Sequence, residues 1–235
     1  SNTAVGYKAL EANTTADNNT AIGISSLNAN TTGAGNTAVG QRALTANTTA
    51  DSNVSVGKDS LFANTTGHSN NALGVSALQT NTTGYQNTAV GHTALFTNNQ
   101  NEATAVGYKA GYSNTTGVNL TAVGWSALED NTTGASNTAV GIVSLRDNTT
   151  GASNTAMGVA SLRFNTTGNY NVAIGQNALF NNTTASENTA VGYGTLQANT
   201  TGASNAAFGK DALFDLTTGD HNSGLGQNAL ANVTT

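Results

Sequence analysis

NTAVGYKALEANTTADN, from Asn2 to Asn18, opens the chain, and close variants of it recur up to the last residues. The glycine of its TAVG segment returns every 17 residues, except for one step of 16 between Gly91 and Gly107. Fourteen copies fill the 235 residues from end to end. A repeat that fills a chain in this way predicts a stack of similar units, each too small to bury its apolar residues alone.

Four positions of the repeat keep one kind of residue, counted from the glycine. The residue before the glycine is always apolar, and the residue four places after it is leucine except at Gly111. The residue two places before it is small, and the residue four places before it is asparagine except at Ala103 and Leu120. An NTT segment begins seven places after the glycine in 11 copies. Equivalent positions of successive copies form columns, and the residue type kept in each column predicts its structural role.

The columns predict an all-β fold. Side chains alternate between the two faces of an extended NTAVG segment, so Thr and Val share one face while Asn and Ala share the other. We expect a second short strand to carry the leucine, with turns at the glycine and at NTT. Regular glycine, β-branched residues and asparagine disfavour a helix. Stacking 17 residues per coil gives a parallel β-solenoid of about 14 coils, and disorder would not keep apolar residues on such a grid.

Within such a solenoid, equivalent residues stack on one another. We expect two interior ribs, a ladder of hydrogen-bonded asparagine amides and a row of corner glycines that need positive φ or lack room for a Cβ. The core ribs are Val5, Ile22, Val39, Val56 and Val90, and Leu10, Leu27, Leu44, Leu61 and Leu78. The ladder is Asn2, Asn19, Asn36, Asn53, Asn70 and Asn87, and the corners are Gly6, Gly23, Gly40, Gly57, Gly74 and Gly91.

Each coil buries few apolar residues, so we expect chains to associate side by side. The alanine column offers a small-residue surface that another backbone can approach closely. The column after the glycine is often bulky and apolar, as at Tyr7, Ile24 and Trp125. Both columns are therefore predicted as association surfaces.

The composition excludes several partners. Only 8% of residues are charged, the formal net charge is −5, and lysine and arginine are scattered singly. This pattern lacks the basic patch that nucleic acid or an anionic membrane surface requires. No apolar run approaches the ~18 residues of a membrane-spanning helix. We therefore expect no nucleic-acid partner and no membrane insertion.

Residues suited to catalysis or metal binding are sparse. The three histidines, His68, His92 and His221, lie in different coils. Carboxylates are also scattered, and no cysteine is present. We therefore expect no catalytic residues, no metal site and no cofactor.

One irregular region, in coils six to eight, is the candidate functional site. A turn loses one residue near Asn99 and Gln100, and aromatic residues gather in the columns that follow. The predicted strip consists of His92, Tyr108, Tyr112 and Trp125. It has two interpretations: a register defect whose aromatic residues pack against a neighbouring chain, or an exposed strip that stacks on sugar rings or contacts a receptor protein.

The segments NVAIG (Asn171 to Gly175) and NTAIG (Asn19 to Gly23) resemble the strand repeat in the head domains of YadA-like trimeric autotransporter adhesins. The NTAVG and NTTG array is also similar to repeats of phage tail fibres. The resemblance covers residues 1–235, read as a single repetitive domain and an excerpt of a longer fibre. It implies a left-handed β-roll, a side-by-side homotrimer and an extracellular location on a cell or virion surface.

The leading functional hypothesis is therefore a structural and attachment module of a fibrous surface protein that contacts a cell-surface glycan or protein receptor. An ice-binding solenoid is an alternative, because regular threonine columns can order water on a flat face. A spacer shaft without a ligand is another. An enzyme is the least supported hypothesis.

Overall fold

The computed structural model describes all 235 residues, which form a parallel β-solenoid of about 13 turns with a 17-residue repeat. Fourteen strands of three residues each occur, one in every copy of the repeat. The structure contains no helix that is long and apolar enough to cross a membrane. The predicted all-β solenoid is thus confirmed, while its handedness and the trimer stay predictions.

The chain divides into two compact units, Ser1–Val118 and Asn119–Thr235. Within each unit every strand pairs in parallel and in register with the next. The first unit contains β1 Thr3–Val5, β2 Thr20–Ile22, β3 Thr37–Val39, β4 Val54–Val56, β5 Asn71–Leu73, β6 Thr88–Val90 and β7 Thr104–Val106. The second contains β8 Thr121–Val123, β9 Thr138–Val140, β10 Thr155–Met157, β11 Val172–Ile174, β12 Thr189–Val191, β13 Ala206–Phe208 and β14 Ser223–Leu225. The assignment of residues 1–235 to one domain stays a prediction.

The strands bury their alanines and turn the flanking residues outward, so the predicted interior rib of valines is wrong. The central alanines of β2 and β3, Ala21 and Ala38, are 0% exposed. The members of the predicted rib lie on the outer face: Val5, Ile22 and Val56 are exposed, and Val39 and Val90 are half-buried. The predicted association surface of alanines is wrong for the same reason.

The narrow interior explains this orientation. Gly224 occupies the alanine column, and a Cβ built on it would lie 3.0 Å from Leu213 Cγ. The Cβ of an alanine in this column is therefore already in contact with a leucine side chain of the interior. A branched side chain in this column would overpack the core.

The leucines form the other rib, but no second strand carries them. Leu27, Leu44, Leu61 and Leu78 are fully buried, while Leu10 in the first coil is half-buried. Their segments are turns, and each leucine adopts a left-handed φ near +50°, as at Leu27 (φ +49°). This conformation costs about 1–2 kcal/mol, and burial of the side chain offsets the cost. The prediction of a leucine rib is confirmed, and that of a second strand is wrong.

The asparagine ladder is present at the predicted positions, but the bond common to all its steps joins an amide oxygen to a backbone N–H, and among these positions only Asn36 through Asn87 are joined by the predicted amide-to-amide bonds. The Oδ1 atom of Asn19 accepts the backbone N–H of Asn36 at 2.9 Å, and the same contact links Asn2 through Asn87 at 2.9 to 3.0 Å. The Nδ2 atom of each asparagine donates to a carbonyl in its own coil, as from Asn36 to Ala50 O at 2.8 Å. Each amide thereby joins two coils.

A second asparagine ladder, which was not predicted, runs through the first residue of NTT. Asn47 Nδ2 donates to Asn30 Oδ1 at 2.8 Å and to Ala50 O at 3.0 Å. The carbonyl of Ala50 thus accepts from both Asn36 and Asn47. The two ladders converge on one carbonyl in each coil where both are present.

The corner glycines have a positive φ and lie in close contact with the backbone of the next coil. The six predicted corners have φ between +132° and +141°. A Cβ on Gly40 would lie 2.6 Å from Gly57 O in the next coil. Both reasons given for glycine at this corner are confirmed.

We expect Asn53→Ala to lower the free energy of unfolding by about 1–3 kcal/mol, the cost of one buried polar group left unpaired. The variant leaves the N–H of Asn70 without a partner, while the carbonyl of Gly67 keeps its bond from Asn64. Urea unfolding followed by circular dichroism measures the change. Thr66→Ala in the same coil is the control: its exposed side chain predicts a change within about 0.5 kcal/mol. Equal effects of the two variants would contradict the role of the ladder.

Two neighbouring substitutions test which face of β3 is inside. We expect Ala38→Val to cost about 1–3 kcal/mol of unfolding free energy through overpacking. Thr37→Val places the same side chain on the outer face, where Val54 already stands in the next strand, and is expected to change stability by less than about 0.5 kcal/mol. The reverse order in thermal or urea unfolding would contradict the orientation of the strand.

Candidate functional site

An apolar surface, here called the outer stripe, follows the outer face of the strands in each unit. It is formed by the residues directly before and after the corner glycine. Its most exposed members are Val5, Tyr7, Ile22, Ile24, Val56, Leu73, Val75, Val106 and Tyr108 in the first unit, and Trp125, Ile142, Met157, Val159, Ile174, Tyr193, Phe208 and Leu225 in the second. A row of apolar side chains on one sheet face is typical of a surface that another chain covers.

The first unit also carries an aromatic cluster, which consists of His92, Phe96, Tyr108, Lys109 and Tyr112. The rings of His92 and Tyr108 stack with centroids 5.6 Å apart, and those of Phe96 and Tyr112 stack at 5.1 Å. The ammonium group of Lys109 lies 5.8 Å from the Tyr108 ring and 5.4 Å from the Tyr112 ring. The lysine therefore joins the two stacks through cation–π contacts.

The shortened repeat shapes this region. Gly111 stands in the leucine column, and a Cβ there would lie 2.9 Å from Leu95 Cδ2, so Leu95 occupies the space. Asn99 replaces a threonine, and its Oδ1 accepts from Thr82 N at 2.8 Å. The second ladder lacks one hydrogen bond here, because the buried Oδ1 of Asn81 has no hydrogen-bond partner. The region keeps the fold but departs from the regular pattern.

Three residues of the predicted strip come together, and the fourth lies in the other unit. His92 and Tyr108 are exposed and Tyr112 is half-buried, all within the cluster. Trp125 belongs to the second unit and is 50% exposed. Phe96 and Lys109 also belong to the cluster but are not part of the predicted strip. The available signal was the column of Phe96, which lies five residues after its corner glycine, as Tyr112 does.

The three arginines are held by their own chain. Arg42 Nε bonds Asp59 Oδ1 at 2.7 Å, and Arg146 Nε bonds Asp147 Oδ1 at 2.5 Å. These hydrogen bonds raise the pKa of both arginines above the usual value. The guanidinium carbon of Arg163 lies 4.9 Å from the Phe164 ring centroid and 5.9 Å from that of Phe180.

The two threonines of each NTT segment have different surroundings. The hydroxyl of the first donates to a carbonyl of the next coil, as from Thr31 Oγ1 to Thr48 O at 3.0 Å. The second is exposed and forms a single outward column, which includes Thr32, Thr49, Thr66 and Thr83. A single column is narrower than the flat array that the ice-binding hypothesis requires.

Residues suited to metal binding are not brought together. No group of three or more His, Cys, Asp or Glu side chains lies close enough to hold a metal ion. His68 stacks on Tyr85 at 4.9 Å and is separate from the aromatic cluster. The outer stripe and the aromatic cluster are therefore the candidate interaction surfaces.

Comparison with known proteins gives no relative for this chain. No protein-family model, no curated protein and no solved structure matches it. A function is therefore proposed from the fold and the two surfaces alone.

Proposed function

We propose that the chain is a structural and attachment module of a fibrous surface protein, of the phage tail-fibre or bacterial adhesin kind. In this proposal three copies associate side by side through the outer stripe. The assembly lies outside the cell, on a cell or virion surface, and contacts a host-cell glycan or protein receptor.

The outer stripe is the observation that carries the proposal. In β2 and β3, Ile22 pairs in register with Val39, and Val39 with Val56 in β4, so the apolar row runs from strand to strand. Faces of parallel sheets are normally covered, because they bury apolar side chains on both sides. Association of copies through the stripe supplies that cover.

The aromatic cluster supports a role in contact with a receptor. The stacked rings of Phe96 and Tyr112, which lie outside the outer stripe, stand beside the positive charge of Lys109. Aromatic rings with polar neighbours suit both sugar rings and protein surfaces. Several copies held in one assembly would bind a multivalent surface together even where each contact is weak.

An ice-binding solenoid is the second candidate function, and the exposed threonine column favours it. The outer strand face adds Thr37 beside Val39, but this threonine column is interrupted by Val54 and Asn71. Bulky members of the outer stripe, such as Tyr7 and Trp125, also disturb the flatness of the face. A freezing assay separates the candidates, because only an ice-binding surface gives thermal hysteresis.

We expect multi-angle light scattering to give a mass of three chains for the wild type. Val56→Lys combined with Leu73→Glu places a charge pair in the outer stripe, and burying these charges between chains would be costly. We expect this variant to remain folded and to become monomeric. Thr49→Lys with Thr66→Glu places the same pair on the exposed threonine column and should keep three chains. A monomeric wild type would overturn the assembly, and a trimeric Val56–Leu73 variant would overturn its surface.

Binding to host cells or to a glycan array tests the attachment role. We expect Phe96→Ala with Tyr112→Ala to lower binding at least tenfold without loss of the trimer, because these stacked rings lie outside the outer stripe. Tyr170→Ala is the control, since Tyr170 is 65% exposed and lies outside the cluster. A trimer that binds neither cells nor glycans would favour the spacer hypothesis. Equal binding by all variants would place the receptor contact elsewhere.

A further inference from the structure

A five-residue segment occurs in both units at the same place in the repeat. KDSLF (Lys58 to Phe62) follows the corner glycine of β4, and KDALF (Lys210 to Phe214) follows that of β13. The coils before the two segments differ at several positions, one of which lies two residues after the corner glycine. Arg42 occupies this position in the first unit, and Gly194 occupies it in the second.

In the first unit the segment binds the arginine of the preceding coil. Arg42 Nε donates to Asp59 Oδ1 at 2.7 Å, and Nη2 donates to Asp59 Oδ2 at 2.9 Å. The guanidinium carbon lies 5.0 Å from the centroid of the Phe62 ring. The guanidinium is thus held by a bidentate carboxylate and an aromatic face, the two groups that distinguish arginine from lysine.

In the second unit the same carboxylate and ring line a cavity. The cavity has a volume of about 590 Å³, and its lining includes Asp211, Phe214, Asp215, Tyr193 and Gln197. Gly194 has no side chain, and Asp211 Oδ1 lies within clashing distance of where its Cβ would stand, so the carboxylate extends into the space that Arg42 fills in the first unit. Asp215 stands where the first unit has Ala63, so the cavity has one more carboxylate than the Arg42 site.

A lysine precedes the carboxylate in both units. Lys210 Nζ lies 3.7 Å from Asp211 Oδ2, longer than a hydrogen bond, and its side chain is 57% exposed. Lys58 occupies the equivalent position in the first unit, where Asp59 nevertheless binds Arg42.

We propose that this cavity binds the guanidinium group of an arginine side chain presented by a partner polypeptide. Asp211 accepts two parallel N–H bonds, Phe214 covers one face of the guanidinium, and Asp215 adds negative charge. The arginine comes from a different polypeptide, because Arg42 and Arg146 are ion-paired within their own chain, and Arg163 lies against Phe164 with its Nε atom buried. This site goes beyond the proposed attachment role and does not require assembly of the copies.

The test uses the whole chain and N-acetylarginine methylamide as the probe, with binding followed by NMR or calorimetry. We expect saturable binding with one site per chain. The citrulline counterpart, which has the same shape without the charge, should bind at least tenfold more weakly. The lysine counterpart should also bind more weakly, because it cannot form two parallel bonds with one carboxylate.

Two variants remove the site, and one creates a second. Gly194→Arg supplies an internal arginine and should abolish binding. The backbone conformation suits it, since Gly194 has φ +62° and Arg42 has φ +57° at the equivalent position, but the Asp211 carboxylate, which would clash with the new Cβ, must turn away. Asp211→Asn should also abolish binding. Arg42→Gly opens the equivalent site in the first unit, so the stoichiometry should rise from one to two.

Several results would overturn the proposal. They are the absence of saturable arginine binding, equal binding of the citrulline compound, and binding that Gly194→Arg leaves unchanged. A neutral monosaccharide that binds and is displaced by Gly194→Arg, while the arginine compound does not bind, would identify a glycan site instead. Unchanged circular dichroism and unfolding midpoints separate loss of binding from loss of folding.

Discussion

The convergence of two asparagine columns on one carbonyl is the constraint on which the rest of the structure depends. The carbonyl of Gly33 accepts from Asn19 and from Asn30, each at 2.9 Å, while both Oδ1 atoms face the next coil. A Cβ on Gly33 would lie 2.6 Å from Asn30 Oδ1, so this position stays small. An interior crossed by two amide ladders has room for one leucine per coil and little more. Alanine therefore lies inside, and the larger apolar residues of the strand lie outside.

The repeat predicted the period, the corner glycines and the first ladder, because each depends only on like residues stacking on like. It did not predict which face of the strand lies inside, because that prediction rested on the hydrophobicity of each column and not on side-chain volume. The residue before the corner glycine varies from Val39 to Met157 and Phe208, which a narrow core could not hold. The alanine column varies only to Ser55 and Gly224. The column that lies inside is the one whose side-chain volume stays constant from copy to copy, not the one that is most apolar.

Other features required the backbone itself. The left-handed conformation of the leucines has no signal in their identity, because leucine is not a residue that favours positive φ. The contact of Lys109 with two tyrosines depends on how three side chains of one coil are placed, which the letters do not specify. The significance of Gly194 appears only when the position of Arg42 over Phe62 is known. Both KDSLF and KDALF can be read from the sequence, but the contact of Arg42 with the first segment cannot.

Stacking in register makes the outward columns a place where sites form with little change to the fold. Any outward residue lies about one strand spacing, ~4.8 Å, from its equivalents in the adjoining coils. Two substitutions in neighbouring coils therefore suffice to create a ring stack, such as His92 on Tyr108, or an ion pair, such as Arg42 with Asp59. Removing one member leaves its partners in place, because the inward columns still determine the backbone. The cavity beside Gly194 is such a case. In a solenoid of this kind, residues that depart from the pattern of an outward column are therefore the first candidates for functional residues.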